Sequence, residues 1–153
     1  KGFYYTRDQY IKTHVISKPD LDYMENFSIA IGSGFKAMAT ILAYLMFFTI
    51  GINILDFLGV FSLIGNEVVS SVIKGLMEMT LGTNLIGMCD ISMKLKTVLA
   101  SVLVSFGGLS VIGQSMSMTR RTGIGVRDIL EIKITHSLIA GILATLLVNN
   151  VVL

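Results

Sequence analysis

The side chains able to do chemistry in this chain are few, and they gather in two places. One is Glu78, an acid set among Leu76, Met77, Met79 and Leu81 and followed by Thr80, Thr83 and Asn84. An acid at membrane depth marks a functional site by default, since its cost must be offset by a role or a partner. The other is Thr97–Thr119, TVLASVLVSFGGLSVIGQSMSMT, which has no Asp, Glu, Lys or Arg. Ser101, Ser105, Ser110, Gln114, Ser115 and Ser117 surround its central Phe106-Gly107-Gly108. Hydroxyls, an amide and a backbone loosened by paired glycines suit reversible binding of a small polar solute, not covalent change. The candidate substrate-binding set is Glu78, Thr80, Ser105, Gly107, Gly108, Ser110 and Gln114. The competing readings are structural: small residues let two helices approach closely, and a shallow Glu78 is an interfacial charge without a role.

Catalytic and metal chemistry find no support. There is no GxxxxGK[ST] phosphate loop and no HExxH pair, and His14 and His136 fall in separate regions. The single cysteine, Cys89, excludes an internal disulfide and a multi-thiolate metal site, and reads as a small packed hydrophobe. No catalytic residue, metal ligand or cofactor is assigned. A coupling proton or cation is compatible with the pattern.

The elements that must hold these residues follow from the charge-free runs Ala37–Leu55, Thr97–Thr119 and Ile134–Leu153. Each approaches or exceeds the roughly 18–20 residues needed to cross a hydrocarbon core about 30 Å thick. Charged residues make up 14% of the chain, against roughly 25% in soluble domains. Apolar residues reach 53% and mean hydropathy is +0.76, so the class is integral membrane and all-α. A net charge of +2 with no basic patch interleaved with aromatics excludes nucleic acid as a partner.

Along the chain, residues 1–19 read as a polar, basic lead-in with tyrosines suited to the headgroup zone, closed by Pro19. Residues 20–153 read as one membrane domain. Asp20–Gly34 fits either an interfacial amphipathic helix or an extension of the following span, and Phe35 to about Leu58 is the first crossing. Val60–Ile91 holds two apolar pieces of roughly 11–14 residues flanking Glu78–Asn84, a length that suits a re-entrant helical hairpin. Thr97–Thr119 is the second crossing, broken at Gly107-Gly108, since each glycine weakens a helix by about 1 kcal/mol relative to alanine. Arg120–Lys133 is a connecting loop whose end, from Val126, can begin the last helix. Ile134–Leu153 is the third crossing, with His136 as a structural histidine and Ser137, Ala140, Gly141 and Ala144 as a packing stripe.

Lys1, Arg7, Lys12, Lys18 and Lys36 precede the first span, and Arg120, Arg121, Arg127 and Lys133 lie between the last two. The positive-inside rule then places the N-terminus and the 120–133 loop in the cytoplasm and the hairpin outside, with Lys94 and Lys96 running against it. The opening at Lys1, with no basic start and small-residue cleavage site ahead of the first span, is what a piece of a longer protein would show. Three crossings make a poor solute pathway alone. Many transporters pair two related halves around a central site, so the expected partners are the bilayer, an N-terminal half or second copy, and a small-molecule substrate.

Gly75-Leu-Met-Glu78-Met-Thr80, Ser105-Phe-Gly-Gly-Leu-Ser-Val111, Arg121-Thr-Gly-Ile124 and Lys133-Ile-Thr-His136, over residues 20–153, resemble the C-terminal half of sporulation integral membrane proteins of the YlbJ/SpoVV type, which carry the nucleoside recognition or Gate domain. Through them the chain is distantly similar to concentrative nucleoside transporters, in which an Asn-Glu-Phe hairpin motif and a Gly-Phe-Ala-Asn-Phe segment on a broken helix contact the substrate. Glu78 matches the acid of the first motif and Phe106 a Phe of the second, and this resemblance adds Phe106 to the candidate substrate-binding set. Met77 and Gly108 stand where those motifs carry Asn, and Gln114 is an amide available in replacement. The resemblance implies secondary, non-ATP transport of dipicolinic acid in a bacterial cell membrane, the one surrounding the forespore. Glu78 is then the proton- or cation-sensitive group, and N–H groups at Gly107-Gly108 hold a carboxylate. A nucleoside or nucleobase carrier, and a non-transporting scaffold subunit, are the alternatives.

Overall fold

The computed structural model describes residues 23–119 and 122–150. The lead-in 1–19, the residues Asp20–Asp22, the Arg120-Arg121 pair and the last three residues lie outside the described residues. Those described are overwhelmingly helical, with no strand among them. Three stretches are long and apolar enough to cross a membrane: Tyr23–Phe57, Met93–Thr119 and Val126–Asn150, with mean hydropathies of 2.0, 1.8 and 1.6.

The chain divides between Met38 and Ala39 into two units. In the first, the described residues are the exposed leading part of α1 (Tyr23–Phe57). A separate interfacial helix over Asp20–Gly34 is not formed. From Tyr23 onward these residues belong to the 35-residue α1, because no proline interrupts them and Gly32 and Gly34 sit in open space within the helix. The alternative reading, an extension of the first span, matches the helix observed.

All packing described below belongs to the second unit. α1 ends where Gly59 turns left-handed, at φ +76°. A short 3-10 turn, Phe61–Ile64, follows, and Gly65 at φ +63° closes it. Asn66 then caps α2 (Glu67–Met77), its side chain accepting from the Val69 N–H at 3.1 Å. The 3-10 turn brings Phe61 under Lys74, whose ammonium lies 4.7 Å from the ring centroid and 3.0 Å from Asp56 Oδ1.

α2 and α3 (Met79–Met88) form an antiparallel helical hairpin. Its halves meet through small residues: Ser71 Oγ lies 3.7 Å from Cys89 Sγ, and Gly75 backs directly onto Gly82. A Cβ on Gly82 would fall on the Cα and N atoms of Gly75. Glycine at 82 is what allows this approach, while a Cβ at 75 would crowd the Leu103 side chain. The connection differs from the expected one. Glu78–Asn84 does not form a turn; Glu78 alone links the helices in extended conformation (φ −142°, ψ 112°), and Met79–Asn84 is already helical. One residue suffices because its side chain caps the second helix, as detailed below.

α4 (Met93–Phe106) starts at Ser92, which accepts from the Leu95 N–H, and ends at Gly107 in the left-handed region, φ +85°. α5 (Gly108–Thr119) begins at the next residue, itself at φ +72°. α6 (Val126–Asn150) packs most extensively on α4, with Gly141 against Val102 and with Leu103, Ala144 and Val148 buried. Of the predicted stripe, Ser137 and Ala144 are buried while Ala140 and Gly141 are partly exposed, and His136 is exposed. Cys89 is buried, 1% exposed.

Candidate functional site

Two interruptions of helix meet in this fold. Gly108, the first residue of α5, lies against the connection between α2 and α3. A Cβ at 108 would stand 3.1 Å from Met77 O, 3.1 Å from Met79 N and 3.2 Å from Gly75 O. Its φ of +72° is a second reason for glycine here. The backbone ends of α2, α3 and α5, where helical hydrogen bonding is incomplete, therefore converge on one spot.

Glu78 stands at that spot and is 2% exposed. Its carboxylate is fully engaged on one side: Oε1 accepts from the Thr80 N–H at 3.0 Å and Oε2 from the Leu81 N–H at 2.7 Å. Charge-assisted bonds to a helix N-terminus satisfy a buried carboxylate with dipole as well as hydrogen bonds. Thr80 is exposed and contributes its backbone N–H, not its hydroxyl. Thr83 turns back onto Met79 O and Thr80 O. The cap of α3 is thus Glu78 itself.

Ser110 lies in the first turn of α5 and is fully buried, 0% exposed. Among the described residues its Oγ is the buried side-chain polar atom without a hydrogen-bond partner. The reason is local. Helical serines and threonines here bond back to the carbonyl four residues earlier, as Ser101 does to Thr97, Ser115 to Val111 and Thr119 to Ser115. For Ser110 that carbonyl belongs to Phe106, on the other side of the Gly107-Gly108 junction, and the bond is not made. Gln114 follows one turn later on the same face of α5 and is also buried.

The remaining predicted residues divide. Gly107 supplies the junction. Phe106 is half-buried at the end of α4. Ser105 does not join the group: it lines an open groove of about 440 Å³ between α4 and α6, with Thr97, Ser101, Ala140 and Ala144. The structure thus sets Gly108 against the backbone on either side of Glu78, with Gly107 and Ser110 beside it along the chain and Gln114 a turn further, and leaves Ser105 and the Thr80 hydroxyl apart.

Two charged groups were not legible from spacing. Lys133, at the end of the stretch that could begin the last helix, lies in α6 with its Nζ 3.5 Å from where a Cβ on Gly107 would be. Lys74 and Asp56 pair across 18 positions, with Asp56 half-exposed and Lys74 nearly buried. Only the fold shows these approaches. The signal open to sequence reading was that Lys133 is the last Asp, Glu, Lys or Arg before a charge-free run to the C-terminus. Among the described residues no group of three or more His, Cys, Asp or Glu could hold a metal ion.

Comparison with known proteins returns nothing at this site: no family model matches the chain, and no curated protein or solved structure matches it.

Proposed function

We propose that this chain is one half of a secondary membrane transporter for a small anionic solute, with dipicolinate the first substrate to try. In this reading α1, the α4–α5 pair and α6 cross the bilayer. The α4–α5 crossing is interrupted at Gly107-Gly108, and the α2–α3 hairpin enters and leaves on one side. The observation that carries the reading is the meeting of the two interruptions at Glu78 and Gly108, next to an unpartnered buried hydroxyl. Irregular backbone at membrane depth is tolerated where protein or a water-filled cavity surrounds it, and discontinuous helices are the common site-builders of secondary transporters. The other half, whether an N-terminal repeat or a second copy, would close the pathway over α5. The resemblance to YlbJ/SpoVV-type proteins supplies the substrate suggestion and the forespore-surrounding membrane as location. The nucleoside alternative is weakened by Met77 and Gly108, which stand where amide side chains would hold a nucleoside.

The test is uptake of labelled dipicolinate into vesicles containing the full-length protein, beside protein-free vesicles and in the presence of excess uridine. Protein-dependent uptake that uridine leaves unchanged supports the proposal. Uptake abolished by uridine moves the assignment to a nucleoside carrier. No protein-dependent uptake, with insertion verified, favours the scaffold reading.

A further inference from the structure

We infer that Lys133 is the residue that makes the site select an anion; this rests on the transporter reading above and names its charge-determining group. Lys133 lies on α6, within reach of the α4–α5 junction, its Nζ 3.5 Å from the Cβ position of Gly107. The residue is partly buried. A partly buried lysine is stabilised by a neighbouring carboxylate, since burying an unpaired charge is costly. Here the carboxylates of the surrounding elements are otherwise engaged or absent. α5 contains no Asp or Glu, and the charged residues of α4 are Lys94 and Lys96. On α6, Asp128 accepts from the Gly125 N–H at 2.8 Å and Glu131 pairs with Arg127 at 2.8 Å. Glu78, in the neighbouring hairpin, has both oxygens on α3 N–H groups. Lys133 has no salt-bridge partner among the described residues. The C-terminal dipole of α4 compensates part of its charge.

A second observation points the same way. The junction that Lys133 approaches opens α5, a helix of 12 residues whose leading N–H groups favour negative charge. In that first turn, the Ser110 hydroxyl is buried and unpartnered. A cation, a helix N-terminus and a spare hydroxyl donor together suit a carboxylate-bearing solute. The Glu78 carboxylate, by contrast, is turned into the α3 N-terminus.

The experiment compares uptake of labelled pyridine-2,6-dicarboxylate with uptake of the neutral pyridine-2,6-dicarboxamide. Vesicles hold the full chain as wild type, Lys133→Gln or Lys133→Arg. The expected result is a wild-type preference for the dianion that falls at least tenfold in Lys133→Gln and persists in Lys133→Arg. A Lys133→Gln protein that loses uptake of both solutes equally, or keeps the wild-type preference, overturns the inference while leaving the transporter reading standing. A wild type that moves neither solute overturns both. Should Lys133→Gln fail to insert, acetylation of Lys133 in the wild type, followed by mass spectrometry, decides the matter. Protection by the dicarboxylate and not by the dicarboxamide is expected, and equal labelling in all samples overturns the inference.

Discussion

Gly108 rests against the carbonyl oxygen of Met77, so close that a Cβ at 108 would stand 3.1 Å from it. That one contact joins the start of α5 to the end of α2, and it places the helix junction at Gly107-Gly108 beside Glu78. Two independent requirements fix glycine there, the near contact and a φ of +72°. Gly108→Ala therefore destabilises the protein by about 2 kcal/mol, from left-handed strain and crowding of backbone. Gly51→Ala, at a helical position with nothing within 4 Å, is neutral or stabilising by up to about 1 kcal/mol. Thermal unfolding in detergent, followed by far-UV circular dichroism, separates the two, and equal midpoints would remove the argument for the junction.

Gly82→Ala is the severer change. The new methyl would land on the Gly75 backbone, which cannot turn aside as a flexible side chain can. The hairpin must open, at a cost of about 3 kcal/mol or more. The readout is loss of folded protein on size-exclusion chromatography in mild detergent, with Gly87→Ala, which meets no neighbour within 4 Å, as the tolerated control.

Glu78 tests how far a residue that looks functional is structural. Its two oxygens hold the N-terminus of α3, so Glu78→Ala loses two charge-assisted bonds and costs about 2 kcal/mol. Glu78→Gln keeps one acceptor and costs less. Denaturation midpoints ordered wild type, Gln, Ala are expected; an unchanged midpoint in Glu78→Ala would mean the cap contributes nothing.

The Lys74–Asp56 pair is a weaker link than its 3.0 Å geometry suggests. Asp56 is half-exposed, so water screens it, and a double-mutant cycle is expected to give a coupling of about 1 kcal/mol or less that shrinks as salt is raised. A coupling that salt leaves unchanged would show that the pair is far better shielded than its exposure implies.

Much of this architecture was legible before any coordinates. The long apolar runs announced the all-helical class and the three membrane-length helices. The one-residue link at Glu78 was not legible, because nothing in Glu-Met-Thr-Leu says that the acid folds back onto its own successors. Asp20–Gly34 left two readings open, since an amphipathic face and two glycines are compatible with either a surface helix or a continuation. Ser105 shares its residue type and stretch with Ser110, yet the junction between them turns one to the α6 groove and buries the other. The approach of Lys133 to Gly107 depends on how α6 packs, which spacing along a sequence cannot reveal.

The most direct measurement of the central claim, that the junction beside Glu78 holds the solute, uses Ser110→Ala. The hydroxyl makes no bond within the protein, so its removal spares the fold and is expected to raise stability by about 1 kcal/mol. Dipicolinate uptake by vesicles holding Ser110→Ala, beside wild type at equal insertion, is expected to fall at least tenfold while the unfolding midpoint rises. Unchanged uptake with a raised midpoint would contradict the account and leave the junction as packing alone.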